Sequence, residues 1–201
     1  MVNTLVLLGI AYNNIYEWDR SIKYYKQALH IVEQLQDFSD SIKLIIYNDL
    51  GYCSECQNSH YDAIKYYQSA LTIHPDNYSV LSNLARTFYK IGDFTEAKNY
   101  LNKANHVMKP NEVDDLYIIS NNLLSCLLFV EYKDMDEIFT ILNTNFPLII
   151  KNRIYEIIIF YSREFGAILE QHKFYKKSNE LYKYAFDAYQ NLLKGGEKNN
   201  V

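Results

Sequence analysis

The sequence predicts an all-α protein, a right-handed α-solenoid of about five helical hairpins, and two observations carry that reading. The first is a repeat: Gly51, Ala63, Tyr67, Ala70 and Pro75 are followed thirty-four residues later by Ala85, Ala97, Leu101, Ala104 and, one place late, Pro110. A fixed period in this range marks a supersecondary unit that stacks on its own copies. The second is composition. Only 6 Gly and 3 Pro in 201 residues favour long helices over many turns, and 49% apolar content is enough to bury a sizeable core.

The small residues have a mechanical reason. Where the two helices of a hairpin cross, and where a second helix meets the next first helix, the backbones approach too closely for a large side chain. Gly51 and Ala85 open the first crossing, Ala63/Ala97 and Ala70/Ala104 the second and third, while Tyr52, Tyr67, Phe88, Phe94 and Leu101 fill the spaces between. With its closing proline, the stretch HYDAIKYYQSALTIHPDN resembles the second helix of the tetratricopeptide repeat, which implies a helix-turn-helix unit.

Five units follow, at about 2–40, 44–77, 78–111, 112–150 and 151–195, and residues 1–201 are expected to form a single repeat domain. In the first unit Gly9, Tyr12, Trp18, Ser21, Tyr25 and Ala28 take the places of Gly51, Ser54, His60, Ala63, Tyr67 and Ala70, forty-two residues earlier. The eight extra residues fall in VEQLQDFSDSIK and predict a longer second helix or loop. Met1 leads directly into a first helix, as in a piece of a longer chain. In the fourth unit Glu112 to Tyr132 reads as one long apolar helix, Ile138 takes the alanine place, and Pro147 is expected to stop the second helix early. An exposed apolar ridge over Leu116 to Phe129 would favour a dimer or a lost neighbour. The fifth unit restores the pattern with Gly166, Tyr175, Ser178, Tyr182 and Ala185 on helices of roughly Arg153 to Gln171 and Phe174 to Lys194. Gly195-Gly196 is expected to end that helix, leaving EKNNV as a frayed tail. Most of the 20 Tyr read as wedges between helices.

No stretch has the form of a signal peptide or a membrane span, so a cytoplasmic protein without membrane contact is expected. The net charge of -4 gives no footprint for direct nucleic-acid contact. Cys53 and Cys56 form a C-x-x-C, but inside a helix and without a second ligand pair, so they read as small interface residues; Cys126 reads as core. The five His have no Cys or carboxylate at ligand spacing. With no phosphate loop and no nucleophile motif, no catalytic residue, metal or cofactor is expected.

What remains is a groove lined by the first helices. Their inward rows are Asn3, Val6, Ile10, Asn13 and Asn14; Asn48, Asp49, Tyr52, Glu55 and Cys56; Ser79, Ser82, Asn83, Arg86, Tyr89 and Lys90; and Phe160, Arg163, Glu164, Ala167, Glu170 and Gln171, with Asn121 or Asn122 in the fourth unit. An Asn amide donates and accepts, so Asn48 and Asn83 suit the backbone of an extended peptide, with Tyr52 and Tyr89 lining side-chain pockets. Arg86, Lys90 and Arg163 suit a carboxylate. The dicarboxylate clamp of co-chaperones is not expected, because Val6 and Ile10 stand where it needs Lys and Asn.

The long repeat, the Asn-bearing first helices and the Ile/Asn/Lys/Tyr-rich composition resemble the sensor domains of the Rap, NprR, PlcR and Rgg group of Gram-positive regulators. That resemblance implies a short signalling peptide on the concave face. It also implies backbone contacts for Asn48 and Asn83, and charge contacts for Arg86, Lys90 and Arg163. The expectation is therefore a peptide-sensing repeat domain, possible as a homodimer; the alternative is a structural adaptor for another protein.

Overall fold

The computed structural model describes residues 1–35, 39–108 and 115–197. All regular structure in them is helical, and it falls into two compact units, residues 1–109 and 110–201. The first holds three hairpins: α1 (Val2–Asn14) with α2 (Trp18–Glu33), α3 (Asp40–Cys56) with α4 (His60–Ile73), and α5 (Tyr78–Lys90) with α6 (Phe94–Val107). The second holds two: α7 (Asp115–Leu128) with α8 (Met135–Lys151), and α9 (Tyr155–Gln171) with α10 (Tyr175–Glu197). Within the first unit α2 also packs on α3, α4 on α5, and α3 on α5, so first helices form one layer and second helices the other.

Each glycine of the first-helix crossing exists for one aromatic ring. A Cβ on Gly9 would lie 2.6 Å from Tyr25, on Gly51 2.5 Å from Tyr67, and on Gly166 2.6 Å from Tyr182, always the tyrosine sixteen residues later. In the third hairpin the first partner is Ala85, and the second is the smaller Leu101. The two places trade volume to keep one packing distance. Ser21 and Ser178, at the alanine place, use the same closeness differently: each hydroxyl donates to the glycine carbonyl twelve residues earlier, at 2.9 Å.

The turns between paired helices repeat as faithfully as the crossings do. In four hairpins the residue seven after the glycine place is left-handed: Tyr16 (φ 65°), Asn58 (61°), Gly92 (81°) and Lys173 (65°). The next N–H then reaches back over the last turn, as Glu17 to Tyr12 and Asp93 to Phe88, both at 3.0 Å, which is the six-to-one closure of a helix end. Gly92 alone is suited to that backbone, and no atom would contact its Cβ within 4 Å. Gly92→Ala is therefore expected to lose about 1 kcal/mol for the backbone alone, and Lys173→Gly to gain a smaller amount. Urea denaturation of the two variants measures both; an alanine without cost would mean the turn is free to leave the left-handed region.

The structure corrects four expectations. The eight extra residues of the first repeat are not confined to its second helix or loop. Helix α2 ends 24 residues after Gly9 where α4 ends 22 after Gly51, and α3 begins 11 residues before Gly51 where α5 begins 7 before Ala85. The lengthening is thus shared, with half of it at the start of α3. Pro147 does not stop α8, which runs through it to Lys151. The proline forfeits one backbone bond, to Asn143, but Leu142, Phe146 and Ile149 remain buried along one face and hold the helix in place. The apolar stretch of the fourth unit is not an exposed ridge, since Leu123, Leu124, Leu127 and Leu128 are buried. It also breaks after Leu128, where Val130–Tyr132 forms a 3-10 turn; Glu112 to Asp114 lie outside the described residues. Finally, α10 continues through Gly195-Gly196 to Glu197; the last four residues of the tail lie outside the described residues.

Candidate functional site

In the first unit the inward rows of α3 and α5 meet in a polar seam rather than across open space. Its centre is Glu55, one turn beyond the crossing glycine and only 2% exposed. Arg86 grips it with two prongs, Nε to Oε1 at 2.9 Å and Nη2 to Oε2 at 3.0 Å, and Lys90 Nζ adds a third bond at 2.7 Å. The buried wedge Tyr67 donates its hydroxyl to Oε2 at 3.2 Å. Burial alone would raise the Glu55 pKa, but the charges of Arg86 and Lys90 outweigh it and hold the carboxyl well below its ordinary range.

From Arg86 the seam runs on toward α1. Arg86 also donates to Asn83 Oδ1 at 3.0 Å, Asn83 to Asn48 Oδ1 at 3.3 Å, and Asn48 to its neighbour Asp49 at 3.2 Å. Tyr25, the wedge of the first hairpin, donates to Asp49 at 2.7 Å. Burial pushes the Asp49 carboxyl up, and the bonds from Tyr25 and Asn48 only partly offset it. The seam therefore carries one carboxylate held down by cations and one pushed up by burial, joined through two amides. His60 stands at its edge: burial and the Lys90 charge lower its pKa, and Glu55 opposes them.

These contacts sort the expected ligand contacts. Asn48, Tyr52 and Lys90 are partly exposed; Asn83 and Arg86 are buried, each about 4% exposed. The Arg86 guanidinium, expected to meet a carboxylate, meets Glu55. Tyr52 lies edge-on to Trp18 with ring centres 6.1 Å apart, and Tyr89 tilts against Phe94 at 5.3 Å. Arg163 is on α9 in the second unit and is exposed, as are Ala167, Glu170 and Gln171 of its row. In the fourth hairpin Asn121 is buried and Asn122 exposed. Val6 is buried in the core, and Ile10, partly exposed, packs against it. Cys53 is likewise core, its thiol 3.3 Å from the Ser21 hydroxyl, and burial pushes its pKa up to about 12. Among the described residues no three His, Cys, Asp or Glu side chains stand together as a metal site would need, and no helix is long and apolar enough to cross a membrane.

Helix periodicity alone does not reveal the role of the tyrosine hydroxyls. Tyr67 and Tyr182 wedge their crossings, yet each phenol also serves the residue four after its own glycine: Glu55 accepts from Tyr67 at 3.2 Å, and Glu170 from Tyr182 at 3.1 Å. A glutamate twelve places before each of these two tyrosines is the signal that the sequence does contain.

Two tetratricopeptide repeat models match the sequence, over residues 4–37 and 57–116. Over those residues the chain is similar to the tetratricopeptide repeat. No match was found among curated proteins. Among solved structures, aspartyl phosphate phosphatase F from Bacillus subtilis is 16% identical, with a TM-score of 0.72 over 97% of this chain and 50% of that one. A Rap protein complexed with competence and sporulation factor is also 16% identical, with a TM-score of 0.71 over 96% of this chain and 54% of that one. YrrB, described as a TPR protein with an unusual peptide-binding site, is 13% identical, with a TM-score of 0.51 over 98% and 91% of the two chains. At these identities the likeness is one of fold. The chain spans about half the length of the phosphatase and of the Rap protein.

Proposed function

We propose that this tetratricopeptide repeat chain binds a short peptide or an extended protein segment on the first-helix face of residues 1–109, as the sensor part of a cytoplasmic peptide-responsive transcriptional regulator. The observation that carries the reading is the seam itself. Asn48, Tyr52 and Lys90 reach the surface of one face, and beneath them Glu55, Arg86 and Asn83 are locked by bonds of 2.7–3.3 Å. A binding row needs such support, since a side chain already held in place loses less freedom on meeting a ligand. In this arrangement the Asn48 amide meets ligand backbone and the Tyr52 ring packs a side chain. Lys90 turns to a ligand carboxylate while Glu55 keeps both prongs of Arg86. Asn83 and Arg86 act as positioning residues rather than contacts, and Arg163 belongs to a separate row on the second unit. The Rap protein in complex with competence and sporulation factor, and YrrB with its peptide-binding site, lend support by analogy of fold.

Calorimetry with a library of short peptides tests this directly. Asn48→Ala is expected to weaken binding about five- to tenfold, the worth of one hydrogen bond, and Lys90→Met to weaken most those peptides that carry a carboxylate at the contact. Peptides bound equally well by wild type and both variants would place the ligand elsewhere. Failure of every peptide, together with tight capture of a folded protein, would favour a structural adaptor instead.

A further inference from the structure

Helix α1 is the one described helix without a charged side chain. Its inner side is filled: Val2 and Val6 lie in the core cluster with Tyr25 and Ala28 of α2. Its other side, Thr4, Leu7, Leu8 and Ala11, is open, with Leu7 64% and Leu8 37% exposed. Beside the polar Asn3, Asn13 and Asn14, this uncharged helix thus leaves an apolar stripe of Leu7, Leu8 and Ala11 at the surface, the kind of stripe that packs against another element. The internal repeat says what kind of element covers it. Forty-two residues on, Ile46, Leu50 and Cys53 of α3 take the places of Thr4, Leu8 and Ala11; all three are fully buried, in one cluster with Tyr25, Ala28 and Val32 of the preceding α2. The open side of α1 is thus shaped for the outer face of a second helix.

Helix α10 carries such a face, and among the described residues its large side chains there stay exposed. On α10, Tyr182, Ala185, Phe186 and Tyr189 stand where Tyr25, Ala28, Leu29 and Val32 stand on α2. The α2 residues are closed over by α3; Phe186 is 61% exposed and Tyr189 50%. The polar groups also agree. In the α2–α3 pair the Tyr25 hydroxyl donates to Asp49, whose place in α1 is taken by Leu7. Tyr182 can face that leucine without loss, because its hydroxyl already donates to Glu170 of its own hairpin.

We propose that the α10 face of one copy docks on the α1 face of a second copy, in the manner of α2 on α3. Such a contact is heterologous, so it joins molecules head to tail and leaves a free face at each end. One helix pair lies at the small end of specific interfaces, so association is weak and rises with concentration. It does not depend on the peptide reading, since it uses neither Asn48 nor Lys90.

Sedimentation equilibrium of the full chain, of Leu8→Glu, of Phe186→Glu and of their equal mixture tests the proposal, with circular dichroism confirming that both variants are folded. Wild type is expected to gain mass with concentration beyond a dimer, and each variant alone to stay monomeric. The mixture is expected to form a dimer and nothing larger, because the intact α10 face of Leu8→Glu meets the intact α1 face of Phe186→Glu. A wild type that stays monomeric overturns it. So does self-association that survives Leu8→Glu but not Phe186→Glu, which would mean a symmetric contact through α10, and so does a mixture that gives no dimer.

Discussion

Arg86→Met is expected to cost about 3–5 kcal/mol of unfolding free energy at pH 7, the range for removing one partner of a buried ion pair. The loss should shrink as the pH falls. In the wild type the Glu55 carboxyl titrates well below its ordinary range because Arg86 and Lys90 face it. Its contribution is complete above the ordinary carboxylate pKa of about 4.3 and is lost as pH falls toward the lower folded value. Without Arg86, burial of a carboxylate that is 2% exposed is opposed only by Lys90 and the hydrogen bond from Tyr67, and the pKa moves the other way. The variant then gains from protonation as pH falls from its raised folded value to about 4.3, and the wild type loses only below that, so the gap between the two stability curves narrows as pH falls through both windows. Asp49 acts in the raised sense in both proteins, its stabilisation being lost as pH rises through its folded value, and cancels in the comparison. Urea denaturation of both proteins at several pH values measures it. A gap independent of pH would mean that Glu55 does not depend on Arg86 for its charge, and that the seam is held by shape.

Gly51→Ala is expected to be the second most costly single change, at about 3 kcal/mol. The new methyl would stand 2.5 Å from Cε1 of Tyr67, a ring with 0% exposure and a hydroxyl bonded to Glu55, so neither the ring nor its tip can yield freely. The third hairpin contains the remedy: Ala85 with Leu101, both buried. Tyr67→Leu alone is expected to cost a similar amount through the void it leaves. The double variant Gly51→Ala/Tyr67→Leu should be less damaged than the sum of the two by roughly 1.5 kcal/mol or more, within the range seen for touching residues. Thermal unfolding of the two single variants and the double one closes the cycle. Strict additivity would show that the Gly–Tyr and Ala–Leu pairs are not interchangeable solutions to one crossing.

Much of the fold was legible because each hairpin repeats the same local demands. Gly51, Ala63 and Ala70 mark close backbones, Pro75 marks a helix end, and a period of 34 shows that the unit stacks. Where the pattern loosened, local signals misled: Pro147 looked like a stop, and Gly195-Gly196 like a cap. A local signal states a cost of about 3 kcal/mol for a proline or about 1 for a glycine; burial of Leu142, Phe146 and Ile149 on one face of α8 shows packing around the proline that no window of sequence displays.

The candidate site was legible in position but not in chemistry. Periodicity placed Asn48, Asn83, Arg86 and Lys90 on one side of two first helices, because a helix turn is a local property. Whether a charge at that place faces solvent or another charge depends on a residue thirty-one positions away, and only the stacking of α3 on α5 brought Glu55 to Arg86. By itself, then, the sequence determined the helices, their pairing and the face each presents. The tertiary structure decided which polar residues on that face are buried within the protein, as Asn83 and Arg86 are, and which, such as Asn48, Tyr52 and Lys90, are bonded or packed there yet partly exposed, since satisfying a buried charge is a matter of distance between elements and not of spacing along one.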